Sequence, residues 1–290
     1  MNRINRYLVC KSTPEFSAFI PKFCTFETED HYSAKNVCLP TSELSLSGTV
    51  FEDFLLRNIV PFICIFGITG NVLNLLVLLS REMRARGNTT LAALAVCDIA
   101  TLVLVIPHSL AHFDTFGLNL FFRSHYLPYR NHLVGLMNWC SAVTAWLTVL
   151  ICVERMLALR CPFRIRQMKR SLRNATVLIV AIGFVVTAYE FFAYECFTIY
   201  LCGNTQVTVK CYDVTRDSWR PNLPNPFSRT HRDLIKFGAL THVIIALLMP
   251  LFILLVMEPL LFSSLKVKSK TLEMLTSNRP LQVQEREMVV

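Results

Sequence analysis

Charged residues are scarce in this sequence: they make up 17% of its 290 residues, whereas hydrophobic residues make up 53%. A soluble domain of this length needs a more polar surface, so the composition excludes an ordinary soluble protein. The hydrophobic residues form five blocks, each about as long as the ~20 residues that cross a bilayer core. Because backbone polar groups in lipid must be paired internally, we expect an all-α membrane protein with a bundle of five transmembrane helices. The predicted helices are residues 54–80, 90–112, 131–159, 175–200 and 235–265.

The patterns that mark enzymes and metal sites are missing as well. The 11 cysteines include no CxxC pair and form no cysteine–histidine cluster with the spacing of a metal site. No Ser/His/Asp, Cys/His or paired-carboxylate set falls in one predicted layer, so we expect no enzymatic activity and no metal. The internal repeats that many transporters contain are also absent from the sequence.

Lysine and arginine are concentrated in three segments outside the blocks. These segments are residues 81–86, 160–173 and 266–270. With five crossings all three lie on one side of the bilayer, which the positive-inside rule identifies as cytoplasmic. We therefore expect a multi-pass protein of the plasma membrane with an extracellular N-terminus and no nucleic-acid partner. Its predicted parts are an extracellular segment 1–53, a transmembrane bundle 54–265 and a cytoplasmic tail 266–290.

The inner end of the third block carries charge at the point where the helix leaves the bilayer. Glu154-Arg155-Met156 ends the apolar run, and Arg160-Cys161-Pro162-Phe163 begins the basic loop. Charge at this depth is costly unless it has a partner or a water-filled cavity. The acid–arginine pair is therefore a candidate switch. The alternative is an arginine whose side chain merely extends to the interface.

Four motifs together resemble those of rhodopsin-type (class A) G protein-coupled receptors. They occur in the family's order on the first, second, third and fifth predicted helices, and the resemblance covers about residues 51–268. The motifs are Gly70-Asn71-Val72, Leu94-Ala95-Val96-Cys97-Asp98, Glu154-Arg155-Met156 with its basic loop, and Pro250. The resemblance implies that Glu154 holds Arg155 until ligand binding frees the arginine to meet a cytoplasmic heterotrimeric G protein.

A carboxylate at mid-membrane, Asp98, is a candidate functional group because burying a charge in lipid is costly. The resemblance implies that it forms a polar network with Asn71, and Thr144 stands where the family usually has a serine that binds sodium. Asn71, Asp98 and Thr144 are therefore a candidate sodium site, and no other cofactor is expected. The alternative is a protonated, hydrogen-bonded carboxyl that only joins helices.

The ligand implied by the resemblance is a peptide. In amine receptors an aspartate in the outer half of the third helix pairs with the ligand's ammonium, but this level is held here by Met137, with Asn138 and Ser141 nearby. A biogenic amine is therefore not expected. The Tyr-Glu-Phe-Phe-Ala-Tyr-Glu segment, which contains Glu190 and Glu195, resembles part of invertebrate FMRFamide-type neuropeptide receptors. Either acid could pair with an arginine of an amidated peptide; the alternative is an interfacial aromatic belt with solvated acids.

Two features of the family have no counterpart in the sequence. Arg130 occupies the place of the third-helix cysteine that the family normally bridges to the second outer loop, so that disulfide cannot form, and Cys202 with Cys211 could close a local loop. Either could instead pair with a cysteine of the N-terminal segment, namely Cys10, Cys24 or Cys38. The family also has seven helices, whereas apolar material is present here for five. Two hypotheses follow: a neuropeptide receptor truncated after its fifth helix, or a non-signalling fragment that assembles with or modulates a full-length receptor. A receptor dimer is among the expected partners.

Overall fold

The structure, a computed structural model, is a bundle of five long helices with a β-hairpin between the fourth and the fifth. It describes residues 9–10, 24–25, 38–44, 46, 49–80, 88–161, 169–220 and 223–277. The helices are α1 (Val50–Leu79), α2 (Thr89–Leu110), α3 (Leu120–Arg160), α4 (Lys169–Thr187) and α5, which consists of Arg229–His242, Val243–Leu248 and Met249–Ser277 in direct succession. Five spans in this part of the chain are long and apolar enough to cross a membrane, which confirms the predicted fold class.

The strands lie outside the bundle. The hairpin consists of β3 (Tyr194–Leu201) and β4 (Gln206–Asp213), which pair antiparallel from Tyr194 opposite Asp213 to Leu201 opposite Gln206. Its turn, Cys202–Asn204, includes Gly203 with a φ of 64°, a conformation that glycine adopts without steric cost. The remaining strands form two short antiparallel pairs, β1 (Val9–Cys10) with β2 (Cys24–Thr25) and β5 (Ser218–Arg220) with β6 (Leu223–Pro224).

Capping residues outside the apolar blocks explain why α1, α3 and α5 begin earlier than predicted. The side chains of Thr49, Asn119 and Ser228 each accept a hydrogen bond from the backbone N–H three residues later, at 3.1, 3.1 and 3.3 Å. These caps start α1, α3 and α5 before the predicted positions 54, 131 and 235. At its other end, α5 extends beyond residue 265 into the predicted tail and reaches Ser277.

The predicted fourth helix, 175–200, is wrong at its outer end. Helix α4 ends at Thr187, a 3₁₀ turn covers Ala188–Phe191, and the chain is extended from Tyr194 onwards. Aromatic residues continue beyond Thr187 with Glu190 and Glu195 among them, so the composition does not define the residue at which the helix ends. The segment beyond it is rich in aromatic and β-branched residues, which favour strands, and it pairs with β4.

Two π-helical turns, each ending two residues before a proline, expose a backbone carbonyl to a neighbouring helix. The first, Leu55–Ile59, precedes Pro61, and the second, Val243–Leu248, precedes Pro250. In each turn the N–H groups bond to carbonyls five residues back, so the next carbonyl would require the N–H that proline lacks. These carbonyls belong to Leu56 and Ile245.

Side chains from adjacent helices satisfy both exposed carbonyls. The Ser109 hydroxyl of α2 donates to the Leu56 carbonyl oxygen at 2.6 Å. The Trp146 indole N–H of α3 donates to the Ile245 carbonyl oxygen at 2.9 Å. Polar contacts between helices thus lie at the two prolines. Helix α3 is central in the bundle, since it packs against α2, α4 and α5 and buries Leu147 completely.

Candidate ligand and coupling sites

A buried polar cluster joins α3, the end of α4 and α5. The Asn138 side-chain amide donates to both Glu190 carboxylate oxygens, at 2.8 and 2.7 Å. The Tyr189 hydroxyl donates to the same carboxylate at 3.2 Å and lies 3.1 Å from His242 Nδ1. His242 Nδ1 is also 3.5 Å from Glu190 Oε1, and the two side chains are only 11% and 13% exposed. We call these four residues the Glu190 cluster.

Local backbone geometry brings the cluster together. The 3₁₀ turn that ends α4 carries both Tyr189 and Glu190 towards the other two helices. On α5, Gly238 lies one turn before His242, and a Cβ added there would be only 2.7 Å from Tyr189 Cβ. The close approach of Tyr189 to α5 therefore requires glycine at position 238.

The structure brings together some of the predicted ligand residues and separates others. Asn138 and Glu190 are in direct contact, so the end of α4 supplies the acid that α3 lacks at this level. Met137 is half-buried on α3, and Ser141 is exposed. Glu195 lies in β3, opposite Tyr212 of the hairpin.

Tyr189 and His242 were not identified as site residues from the sequence. His242 carried a usable signal, since an ionisable residue within an apolar span is costly and usually functional. Tyr189 carried none beyond its place in an aromatic segment, because only the turn that ends α4 brings it to α5.

The predicted polar network deeper in the bundle is formed in part. The Thr144 hydroxyl of α3 donates to the Asp98 carboxylate of α2 at 3.1 Å. The Asn71 amide instead donates to the Gly67 carbonyl oxygen of its own helix at 3.0 Å, and among the described residues no hydrogen bond joins it to Asp98. Sodium binding at these residues stays a prediction.

At the C-terminal end of α3, the described residues do not form the expected ion pair. Glu154 is half-buried, Arg155 is exposed and Met156 is buried at 8% exposure. Within the described parts of the chain, no ion pair links Glu154 to Arg155, because successive helical residues project about 100° apart. Pro162 and Phe163 of the adjoining motif lie outside the described residues. The contact of this end with a G protein stays a prediction.

The disulfides differ from the candidate pairing of Cys202 with Cys211. Cys211 is bonded to Cys196, and Cys202 is bonded to Cys38. The hairpin register explains the difference, since it sets Cys196 directly opposite Cys211 and leaves Cys202 in the turn. The bond to Cys38 corresponds to the alternative in which Cys202 pairs with the N-terminal segment. Cys196 was missed as a partner because it lies inside the predicted fourth helix.

Two side chains hold the hairpin to α3 without a covalent bond. Arg123, which is 4% exposed, donates from Nε to the Val207 carbonyl oxygen at 2.8 Å. Its Nη1 donates to the carbonyl oxygens of Leu44 at 2.8 Å and Gly117 at 2.6 Å, so one guanidinium joins three chain segments. The hairpin also lies against Tyr126 and Leu127 of α3, whose side chains form an apolar cluster with Val207. No sequence pattern pointed to this role of Arg123.

Asn131 makes the second contact. Its side-chain amide lies 3.0 Å from the sulfur of Cys196 and 3.5 Å from that of Cys211. Asn131 directly follows Arg130, the residue at the family's usual cysteine position. A polar contact to a disulfide within the hairpin therefore stands where the family has a disulfide from the third helix.

The five apolar spans around the Glu190 cluster define a polytopic membrane protein. The family model for the serpentine type 7TM GPCR chemoreceptor Srw matches residues 58–289. The chain belongs to this family, which is one of receptors, and the expectation that it is not an enzyme is thereby confirmed.

Individual relatives agree with the family. A candidate G-protein coupled receptor of Caenorhabditis elegans, F59B2.13, is 34% identical over 243 residues, which are 83% of this chain and 57% of the relative. The alpha-2B adrenergic receptor of Rattus norvegicus is 34% identical over 40% of this chain and 22% of the relative. The sex peptide receptor of Drosophila melanogaster is 30% identical over 33% of this chain and 22% of the relative. The chain thus spans little more than half the length of the nematode protein and about a fifth of the other two.

Proposed function

We propose that the chain acts as a G protein-coupled receptor of the plasma membrane, with its N-terminus outside. A ligand bound in the outer half of the bundle would act on a G protein at the cytoplasmic ends of the helices. The Glu190 cluster is the observation that carries this proposal. It lies in the outer half of three helices at once, so a ligand that replaces one of its hydrogen bonds changes how α3, α4 and α5 are joined.

The ligand we propose is a neuropeptide with a cationic group that binds Glu190. The Glu190 side chain is only 13% exposed, and its partners among the described residues are an amide, a phenol and an imidazole, with no lysine or arginine. Burying a negative charge without a cation is unfavourable, so an incoming guanidinium would compensate it. The relatives named for an adrenergic and a peptide ligand match only small parts of this chain, and they do not decide between a peptide and a small amine.

Nucleotide exchange on a G protein, measured in membranes that contain the chain, tests the proposal. The probes are the peptide FMRFamide and its analogue with neutral citrulline in place of arginine. For FMRFamide, Glu190→Gln should raise the half-maximal concentration roughly 10- to 100-fold, because a hydrogen bond to a charged group contributes about 1.5–3 kcal/mol. It should change the response to the citrulline peptide far less.

Asp217→Asn is the matched control, since Asp217 is an outer-loop acid whose side chain is 95% exposed. It should leave both responses unchanged. Equal sensitivity of the Glu190→Gln variant and the parent chain to FMRFamide would refute Glu190 as the ligand's partner. A chain that responds to neither peptide would refute the neuropeptide assignment.

A second candidate function is assembly with a full-length relative, either as a modulator or in a receptor dimer. Polar side chains that face outwards within the spans favour it. Ser141 of α3 and Glu258 of α5 are both exposed, whereas polar residues at membrane depth normally face other helices. Co-purification with a seven-helix relative, lost on Glu258→Leu, would support this function. A chain that purifies as a monomer in the relative's presence would refute it.

A further inference from the structure

Ionisable side chains gather at the outer junction of α1, α2 and α3, away from the Glu190 cluster. His112, in the turn that follows α2, is only 3% exposed. Its Nδ1 lies 3.7 Å from the Asp53 carboxylate of α1. A histidine in such surroundings can change its charge within the physiological pH range.

Asp53 is at the same time the partner of an arginine. Its Oδ1 accepts a hydrogen bond from Arg57 Nε at 2.9 Å, and Arg57 Nη2 donates to the Asp114 carboxylate at 3.0 Å. Arg57 thus joins α1 to the turn between α2 and α3. One carboxylate oxygen of Asp53 faces both Arg57 and His112. A positive charge on His112 would therefore compete with Arg57 for this oxygen.

A second histidine connects the junction to α3. The ring of His108 lies edge-on to that of His112, with 5.4 Å between the centroids. His108 Nδ1 lies 2.6 Å from the Tyr126 hydroxyl. His112 is therefore linked by direct contacts to α1 and α2, and through His108 to α3.

The surrounding charges act on His112 in opposite directions. Burial lowers the pKa of His112 below its usual value, the carboxylates of Glu52 and Asp53 raise it, and the Arg130 guanidinium lowers it, with burial prevailing. At neutral pH the imidazole is therefore uncharged. At acidic pH, protonation of His112 places a buried positive charge next to Asp53.

We propose that the receptor binds an extracellular proton at His112, and that the resulting imidazolium draws Asp53 away from Arg57 and loosens the contact of α1 with the α2–α3 turn. The proton is thus a second, modulatory ligand. Its site does not involve the Glu190 cluster and does not depend on what that cluster binds.

The direction of the pH effect follows from linkage. The folded protein binds the His112 proton less tightly than the unfolded chain, whose histidines titrate near pH ~6.5. The stabilisation from neutral His112 is fully present above that pH. It is lost as the pH falls through ~6.5 towards the lower pKa of the folded state.

Hydrogen–deuterium exchange of the purified chain in neutral-lipid nanodiscs tests the proposal. Exchange is measured from pH 7.5 to pH 5 and corrected for its intrinsic pH dependence. Residues 50–57 and 108–117 should lose protection as the pH falls, and His112→Gln should abolish this loss. His125→Gln is the matched control, because His125 is an exposed histidine of α3, and it should retain the loss of protection.

Asp53→Asn provides a second variant that keeps the histidine. Because it removes the link to Arg57 that charged His112 would weaken, residues 50–57 should already exchange faster at pH 7.5 and should lose little further protection as the pH falls. A pH-dependent loss of protection as large as that of the parent chain would refute the role of Asp53. Loss of protection that persists in the His112→Gln variant, or that disappears in the His125→Gln variant, would overturn His112 as the proton site.

Discussion

The hydrogen bond from Trp146 to α5 allows a quantitative prediction. Trp146→Phe removes the only side-chain donor shown for the Ile245 carbonyl among the described residues, while Pro250 denies that carbonyl its partner within the helix. Hydrogen bonds between membrane helices contribute about 1–2 kcal/mol, so we expect a loss of this size. For a protein of this length it corresponds to a decrease of roughly 2–8 °C in Tm, measured by thermal unfolding in detergent.

Trp139→Phe is a demanding control. The Trp139 indole also donates to a backbone carbonyl, that of Val180 at 3.1 Å. Val180 lies inside α4, where its carbonyl keeps an N–H partner four residues later when the tryptophan is replaced. The same chemical change should therefore cost about 1 kcal/mol less at Trp139 than at Trp146.

A double-mutant cycle with Pro250→Ala isolates the cause. Alanine at position 250 restores a backbone N–H that can satisfy the Ile245 carbonyl within α5. Trp146→Phe should then cost about 1 kcal/mol less in the Pro250→Ala background than in the parent chain. If the two substitutions are additive, or if Trp139→Phe is as damaging as Trp146→Phe, the freed carbonyl does not explain the role of Trp146.

Two further substitutions test the remaining contacts between helices in the same unfolding assay. Ser109→Ala removes the donor to the Leu56 carbonyl and should destabilise the protein by about 1 kcal/mol, whereas Ser109→Thr, which keeps the hydroxyl, should restore part of that loss. Gly238→Ala places a methyl group 2.7 Å from Tyr189 Cβ and should cost about 1–3 kcal/mol through overpacking. Because the shift of Tyr189 also disturbs Glu190, Gly238→Ala should weaken the ligand response as well, and an unchanged response would contradict this coupling.

The membrane helices could be predicted from the sequence because their cause is local. Each block is apolar over the thickness of a bilayer, and lipid leaves the backbone of such a block no alternative to a helix. The same argument fails where the chain leaves the bilayer. Residues 194–201 still contain apolar and aromatic side chains, but outside the lipid they can pair with a second strand, and only this long-range pairing shows that they form one.

Individual residues of the candidate site could be predicted from the sequence, but the contacts between them could not. Asn138 could be named from its depth on the third helix, and Glu190 from the resemblance of its segment to part of FMRFamide-type receptors. Their contact depends on where α4 stops, which a hydrophobic pattern does not define. His242 is recognisable as a costly polar residue in an apolar span, but its partner on α4 is not.

The attachments of the hairpin determine how a ligand above the bundle can act. No disulfide links the hairpin to α3 in the described residues, so Arg123 and Asn131 hold it there by hydrogen bonds that can be exchanged. The disulfide from Cys202 to Cys38, and the paired hydrogen bonds of 2.9 Å between Gln206 and Leu39, fasten the hairpin to the N-terminal segment instead. A ligand that lifts the hairpin from α3 must therefore move this part of the N-terminal segment with it. In the same motion the Arg123 guanidinium loses its hydrogen bonds to Val207 of the hairpin and to Leu44 of the N-terminal segment.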